Sequence, residues 1–144
     1  MTTARYSPVF LVLPDDRLVL QRRTKDAPYG PRKLGTFGGG IEDNETPLAC
    51  AKRELAEETS LNPELLDIEF LMESAMPAGI DFPQDRTYFI YKAKISNAEF
   101  EVYEGDGAEA FSLDELKARD DLTGAVEFML SELFAIEPKA SFGR

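Results

Sequence analysis

The chain predicts a single α/β domain, residues 1–144, built on a mixed β-sheet. Three observations predict it. A length of 144 residues is that of one domain, and 43% hydrophobic content is enough for a core. Strand-like and helix-like segments alternate along the chain instead of segregating. The first two strands are joined by a tight turn, so part of the sheet must be antiparallel.

Ser7 to Leu13 (SPVFLVL) is an apolar, β-branched-rich run that predicts a strand. Pro14-Asp15-Asp16 supplies turn chemistry, and Arg17 to Gln21 predicts the partner strand of a hairpin. Arg22 to Leu34, rich in Pro, Gly and basic residues, predicts a loop. Pro47 to Thr59 predicts a helix. Thr46 is suited to its N-cap and Pro47 to its first position, and Leu48, Ala51 and Leu55 form an apolar stripe. Pro63 stops the helix from running on. Asp67 to Met76 and Arg86 to Ile95 predict strands, separated by a loop from Pro77 to Gln84. Glu99 to Tyr103 predicts a short strand. Ala108 to Phe111 leads into a helix whose capping box is Ser112 with Glu115. Ala125 to Ile136 predicts a final amphipathic helix carrying Val126, Met129, Leu130 and Leu133.

Composition removes several chemistries. Histidine is absent, which excludes a Ser-His-Asp triad and any imidazole-bound zinc. Cys50 is the single cysteine, so no intrachain disulfide or cysteine metal cluster can form. There is no run of eighteen apolar residues, and no membrane partner is expected. Met1 to Tyr6 lack a basic segment followed by a long apolar one, so the cytoplasm is the expected location. The net charge of −11 argues against nucleic acid as a partner unless a local basic patch intervenes. A homodimer is left open.

The chemistry concentrates in Gly38 to Leu61, GGGIEDNETPLACAKRELAEETSL. Glu54, Glu57 and Glu58 fall at i, i+3 and i+4 of the predicted helix and project to one side. Like charges so placed repel by roughly 0.2–0.5 kcal/mol per pair even when exposed. Mg²⁺, a hard cation that takes oxygen ligands, relieves that repulsion. Arg53 lies four residues before Glu57, in ion-pair range, and Lys52 is adjacent. The glycines Gly38, Gly39 and Gly40 let backbone approach a metal or phosphate, and the Gly38 carbonyl offers a further oxygen. A solvated acidic face and a simple glycine turn are the ordinary readings of these two features taken separately. Their joint spacing is the discriminating signal.

That spacing resembles the signature of the Nudix hydrolase family: Gly, five residues, Glu, seven residues, Arg-Glu, an aliphatic residue, one residue, Glu-Glu, one residue, Gly, an aliphatic residue. Gly39, Glu45, Arg53, Glu54, Leu55, Glu57, Glu58 and Leu61 hold those places in register. Ser60 departs from the pattern, since the family's glycine there ends the helix in a left-handed conformation. Either Ser60 adopts that conformation at about 1 kcal/mol, or Asn62 takes the role. Gly38 stands where the family usually has proline.

The resemblance implies a mixed sheet sandwiched between helices, an α/β/α sandwich. It implies that Glu54, Glu57 and Glu58 bind Mg²⁺ or Mn²⁺ with the Gly38 carbonyl assisting, that Arg53 orients the glutamates, and that Glu45 braces the loop or touches the metal through water. Arg22-Arg23 resembles the phosphate-contacting position of MutT-type members, with Arg23 favoured; Gly39 and Gly40 join it in holding substrate. YEGDGAEAFSL resembles the loop that brings a glutamate to the MutT-type active site. Glu104 fits that place as proton acceptor, with Asp106 and Glu109 as rivals. The implied reaction is direct attack of water on phosphorus without a covalent intermediate.

The implied substrate is a nucleoside diphosphate linked to another moiety, foremost a nucleoside triphosphate cleaved to monophosphate and pyrophosphate. Pro77 resembles a feature of ADP-ribose hydrolases, so ADP-ribose or a nucleotide sugar is the alternative. Phe82, Tyr88 and Phe89 are candidates to stack on a base. A non-catalytic nucleotide-binding Nudix module is the rival of another class, but such modules typically lose the box glutamates. The loop RRTKDAPYGPRKLGTF is similar to that of isopentenyl-diphosphate isomerase-like enzymes; the missing histidine and the position of Cys50 inside a helix argue against that chemistry.

Overall fold

A computed structural model of the chain describes residues 4–79 and 83–135. Strand β1 (Ala4–Val12) is the axis of the fold. Val9 and Leu11 bury on one face and Phe10 on the other, the pattern of a strand covered on both sides. One edge of β1 pairs in parallel with β6 (Arg86–Lys94). The other edge is shared. Tyr6 to Val9 pair antiparallel with β4 (Phe37–Gly40), whereas Leu11 and Val12 pair with β2 (Leu18–Arg22). Because β1 changes partner midway, the sheet opens between β4 and β2, and the cavity described below lies beside that opening.

Among the described residues seven strands form one sheet, in the order β3-β2-β1-β6-β5, with β4 on β1 and β7 (Ala108–Phe111) on β2. Strand β3 is Leu34–Gly35 and β5 is Asp67–Met76, antiparallel to β6. Helix α1 (Pro47–Glu58) covers one face, packing Ala51 and Leu55 against Val9, Leu11 and Phe37. Helices α2 (Leu113–Ala118) and α3 (Gly124–Phe134) lie with the other core, where Leu116, Val126 and Met129 join Phe10, Leu20 and Ile90. This is the expected mixed-sheet sandwich. Fully burying aliphatic side chains of this kind contributes about 1.5–3 kcal/mol each.

The hairpin, α1 with its Thr46 cap, β5 and the Ser112–Glu115 capping box form as expected. Asp16 closes the hairpin at φ +69°, a left-handed conformation that aspartate tolerates better than most residues. Other expectations need correction. Strand β1 starts at Ala4. Leu34–Gly35 and Phe37–Gly40 are strands, although their glycines carry no side-chain pattern; the edges of β2 and β1 recruit them. Ala108–Phe111 is a strand rather than a lead-in. Glu99 to Tyr103 forms no strand beyond one bridge between Val102 and Thr59. Leu48 is exposed, since α1 meets the sheet through Cys50, Ala51, Leu55 and Glu58 instead. The last helix spans Gly124–Phe134; Ile136 lies outside the described residues, as does Phe82.

No helix among the described residues is long and apolar enough to cross a membrane.

Candidate active site

Helix α1 seats its three glutamates at different depths. Glu58 shares the inward stripe of Ala51 and Leu55 and is 5% exposed. Glu54 is partly buried, and the Glu57 side chain is half exposed. Burial pushes the Glu58 carboxyl up to about 8, and the charges of Glu54, Glu104 and Glu57 push the same way. Its compensation is the Gly38 N–H, which donates to Glu58 Oε1 at 2.9 Å. Burial also raises Glu54, with Glu57 and Glu104 adding to it while Arg53 opposes. A buried carboxylate of this kind must be paired, ligate a cation or take up a proton.

Arg53 is the clamp of the site. Its Nε and Nη2 hold the two oxygens of Glu45 at 2.7 and 3.0 Å, and Nη1 reaches Glu54 and Glu57 at 3.0 Å each. Nη2 also donates to the Gly40 carbonyl at 3.1 Å. This fork-to-fork pairing pulls Glu45 down to about 2. Glu45 Oε1 also accepts from the Glu42 N–H, so the loop before α1 is tied to the helix. Lys52 turns away to Glu64.

The glycines leave room for these groups. A Cβ on Gly39 would stand 2.5 Å from the carboxyl carbon of Glu54. Gly38 has φ +111°, and a Cβ there would lie 2.2 Å from the Ser7 carbonyl oxygen. The Gly39 and Gly40 carbonyls face Cys50 Sγ at 3.5 and 3.4 Å, which gives the buried thiol a structural place. Beside Gly38 and Gly39 opens a cavity of about 360 Å³, also lined by Arg23, Tyr29, Arg86 and Tyr88.

The decisive observation is a match over most of the chain: the NUDIX domain family profile fits residues 3–130. The chain belongs to the Nudix hydrolase family. Part of it is 39% identical over 61 residues to an RNA pyrophosphohydrolase of Roseobacter denitrificans, a match spanning 42% of this chain and 37% of that protein. Nudix folds of known structure superpose far more completely. The Escherichia coli dihydroneopterin triphosphate pyrophosphohydrolase has TM-score 0.72 at 16% identity, covering 92% of this chain and 94% of that one. The NUDIX domain of Shewanella oneidensis NrtR, crystallised with ADP ribose, has TM-score 0.71 at 17% identity, covering 92% and 87%. These likenesses establish the shared fold.

The Nudix signature departs from its pattern at Ser60, and the structure needs no left-handed residue there. Thr59 caps α1 in extended conformation, and Asn62 caps a 3₁₀ turn at Pro63–Leu65. Ser60 instead clasps Glu101: its N–H donates to the Glu101 carbonyl at 3.0 Å, and its Oγ accepts from the Glu101 N–H at 2.8 Å. Tyr103 N–H adds a bond to the Glu58 carbonyl at 2.7 Å.

Of the arginine pair, Arg22 is engaged elsewhere, with Glu109 at 2.7 Å and Asp121 at 2.9 Å. Arg23 lines the cavity, its Nε donating to the Tyr29 carbonyl. The Arg22 ion pair holds the Glu109 carboxyl below its usual range. Glu104 is exposed, yet its charge acts on both Glu54 and Glu58. Gln21 anchors its carbonyl at 2.7 Å, and Gly105 follows at φ +82°. Tyr88 lines the cavity; Phe89 packs instead toward the α1-side core beneath Arg5. Arg86 did not emerge from the motif. The signal available was a charge at two-residue spacing from Tyr88 within a strand otherwise buried on that face.

The donor set suits a hard divalent ion: carboxylates of Glu54, Glu57 and Glu58 gathered with too little positive charge around the buried member. Among the described residues, however, no three acidic side chains converge to hold an ion as they stand. Arg53 Nη1 bonds Glu54 and Glu57, and the Gly38 N–H bonds Glu58.

Proposed function

We propose that the chain is a Mg²⁺- or Mn²⁺-dependent pyrophosphohydrolase that cleaves a phosphoanhydride bond in a nucleoside diphosphate derivative, foremost a nucleoside triphosphate. The observation that carries this reading is the buried Glu58 carboxyl, on one helical turn with Glu54 and Glu57, bonded to Gly38, which with Gly39 and Arg23 lines the cavity. In this reading Glu54, Glu57 and Glu58 hold the cation, the Gly38 carbonyl assists, and Arg53 with Glu45 keeps the helix and loop in register. The cation, when bound, neutralises phosphate charge and supplies an acidic water. Arg23 receives a substrate phosphate, and the small Gly39 and Gly40 let the phosphates approach. Glu104 takes the proton of the attacking water. No covalent intermediate is required, which suits a chain without histidine.

A second reading concerns what the triphosphate belongs to. The partial relative is an RNA pyrophosphohydrolase. Arg23, Lys25 and Arg32 line a second depression adjoining the first through Arg23, together with the ion-paired Arg22 and two acids, Asp26 and Asp106. That patch offers a local answer to the −11 net charge and favours a 5′-triphosphorylated RNA end as an alternative substrate.

The test is a panel assay with Mg²⁺, containing nucleoside triphosphates, ADP-ribose, nucleotide sugars and a 5′-triphosphorylated oligoribonucleotide, with products identified by phosphorus NMR. Release of pyrophosphate from a triphosphate, abolished by EDTA, is the expected result. No cleavage of any member, or full activity in EDTA, would sink the proposal.

A further inference from the structure

Among the described residues, none accepts the hydroxyl hydrogen of Tyr88. The side chain is 5% exposed and lines the main cavity. Its hydroxyl oxygen accepts from Arg86 Nη1 at 2.7 Å, and the phenol donates to none of the described residues. A phenol hydroxyl keeps its hydrogen near the ring plane, which leaves two orientations. A guanidinium only donates, so Arg86 occupies the lone-pair side and turns the hydrogen to the other.

Arg86 is itself held in place. It is buried, its Nη2 lies 3.4 Å from Met76 Sδ, and its guanidinium carbon sits 5.5 Å from the centre of the Tyr88 ring. The ring of Tyr6 lies against Tyr88 at 5.9 Å and restrains it further. The hydroxyl therefore cannot flip to accept a hydrogen bond from the cavity without setting two hydrogens against each other. Burial pushes the phenol up to about 12, so it stays protonated throughout the physiological range. A buried donor left unpaired costs about 1–3 kcal/mol, and the missing acceptor is one that a bound molecule can bring.

Resting on the nucleotide reading above, we propose that Tyr88, oriented by Arg86, is a specificity-determining residue: it donates to a carbonyl oxygen on the substrate's base, and so selects 6-oxopurines over adenine. An amino group at that position would present a donor to a donor.

The test measures binding of three nucleoside 5′-monophosphates by calorimetry: inosine, purine riboside and adenosine, which carry a carbonyl, a hydrogen and an amino group at the same position. None has an anhydride bond, so the readout is independent of hydrolysis. Wild type is expected to bind the inosine compound about tenfold tighter than the adenosine compound, the worth of one buried hydrogen bond. Tyr88→Phe keeps the ring and should bring all three within about twofold. Equal affinities in wild type, no binding of any of the three, or a preference that survives in Tyr88→Phe would each overturn the inference. Should the variant not fold, the wild-type series decides alone. Graded binding without any hydrolysis in the panel would leave this inference standing while the proposed activity falls; hydrolysis without graded binding does the reverse.

Discussion

The amide of Gly38 donates to the carboxylate of Glu58 across 2.9 Å, joining strand β4 to the last turn of α1. The neighbouring glycines do different work, and substitution should separate them. Gly38→Ala meets a positive φ and the Ser7 backbone, and should lower stability by about 3 kcal/mol or more. Gly39→Ala meets the movable end of Glu54. It should fold with a loss under about 1 kcal/mol but lower turnover about 100-fold by displacing that carboxylate. Urea unfolding and turnover, measured on both variants, check this; equal losses of stability would refute the distinction.

Glu58 works against stability in its buried position. Glu58→Gln keeps an oxygen for the Gly38 N–H and removes a buried acid. The metal-free variant should melt at the same temperature or a few degrees higher, while turnover falls about 100-fold or more. A variant that melts much lower and retains turnover would contradict both halves.

Glu57 is half exposed and shares Arg53 with two other acids, so Glu57→Gln should change stability by less than about 0.5 kcal/mol. Turnover should nevertheless drop by orders of magnitude. Near-normal turnover would remove Glu57 from the ligand set.

Glu104→Gln separates proton transfer from structure, because the backbone carbonyl of Glu104, not its side chain, is what Gln21 holds. Hydrolysis should slow by about 10²–10⁴-fold with no change in melting. An unchanged rate would pass the base role to another group.

Asp121 governs acid stability. It accepts from Arg119 Nε and Nη2 and from Arg22 Nη1, at 2.7, 2.7 and 2.9 Å. Arg119 first, then Arg22, hold its carboxyl well below the usual aspartate range. A depressed carboxylate stabilises the fold above its unfolded value, and that contribution disappears as pH falls through the folded one. Wild type should therefore exceed Asp121→Asn by about 1 kcal/mol at neutral pH, a margin that persists to about pH 4 and shrinks below it. Urea midpoints from pH 7 to pH 2 measure this; a margin independent of pH would refute it.

What was legible in the sequence was local. Thr46, Pro47 and the spacing of Ala51 and Leu55 are enough to place α1, and Ser112 with Glu115 to place α2. The grouping of Glu54, Glu57 and Glu58 is legible for the same reason, since one helical turn relates them. Their unequal depth is not, because it depends on how α1 rests on β1 and β4. The short strands β3 and β4 escape notice because glycine carries no alternation and their partners come from elsewhere in the chain. The division of labour between Arg22 and Arg23 is decided by Glu109 and Asp121, which lie 87 and 99 residues further along. Sequence neighbours alone predict a left-handed residue at the helix end; Glu101, the partner that makes Ser60 suitable, is 41 residues away.

That clasp sets a ruler on the molecule. With Ser60 joined to Glu101 by two hydrogen bonds and the Tyr103 N–H donating to the Glu58 carbonyl, Glu104 follows the last rung of a short ladder that begins at the helix end. A residue added or lost between Glu101 and Glu104 would shift Glu104 by one step against Glu58, and no side-chain adjustment could restore the register.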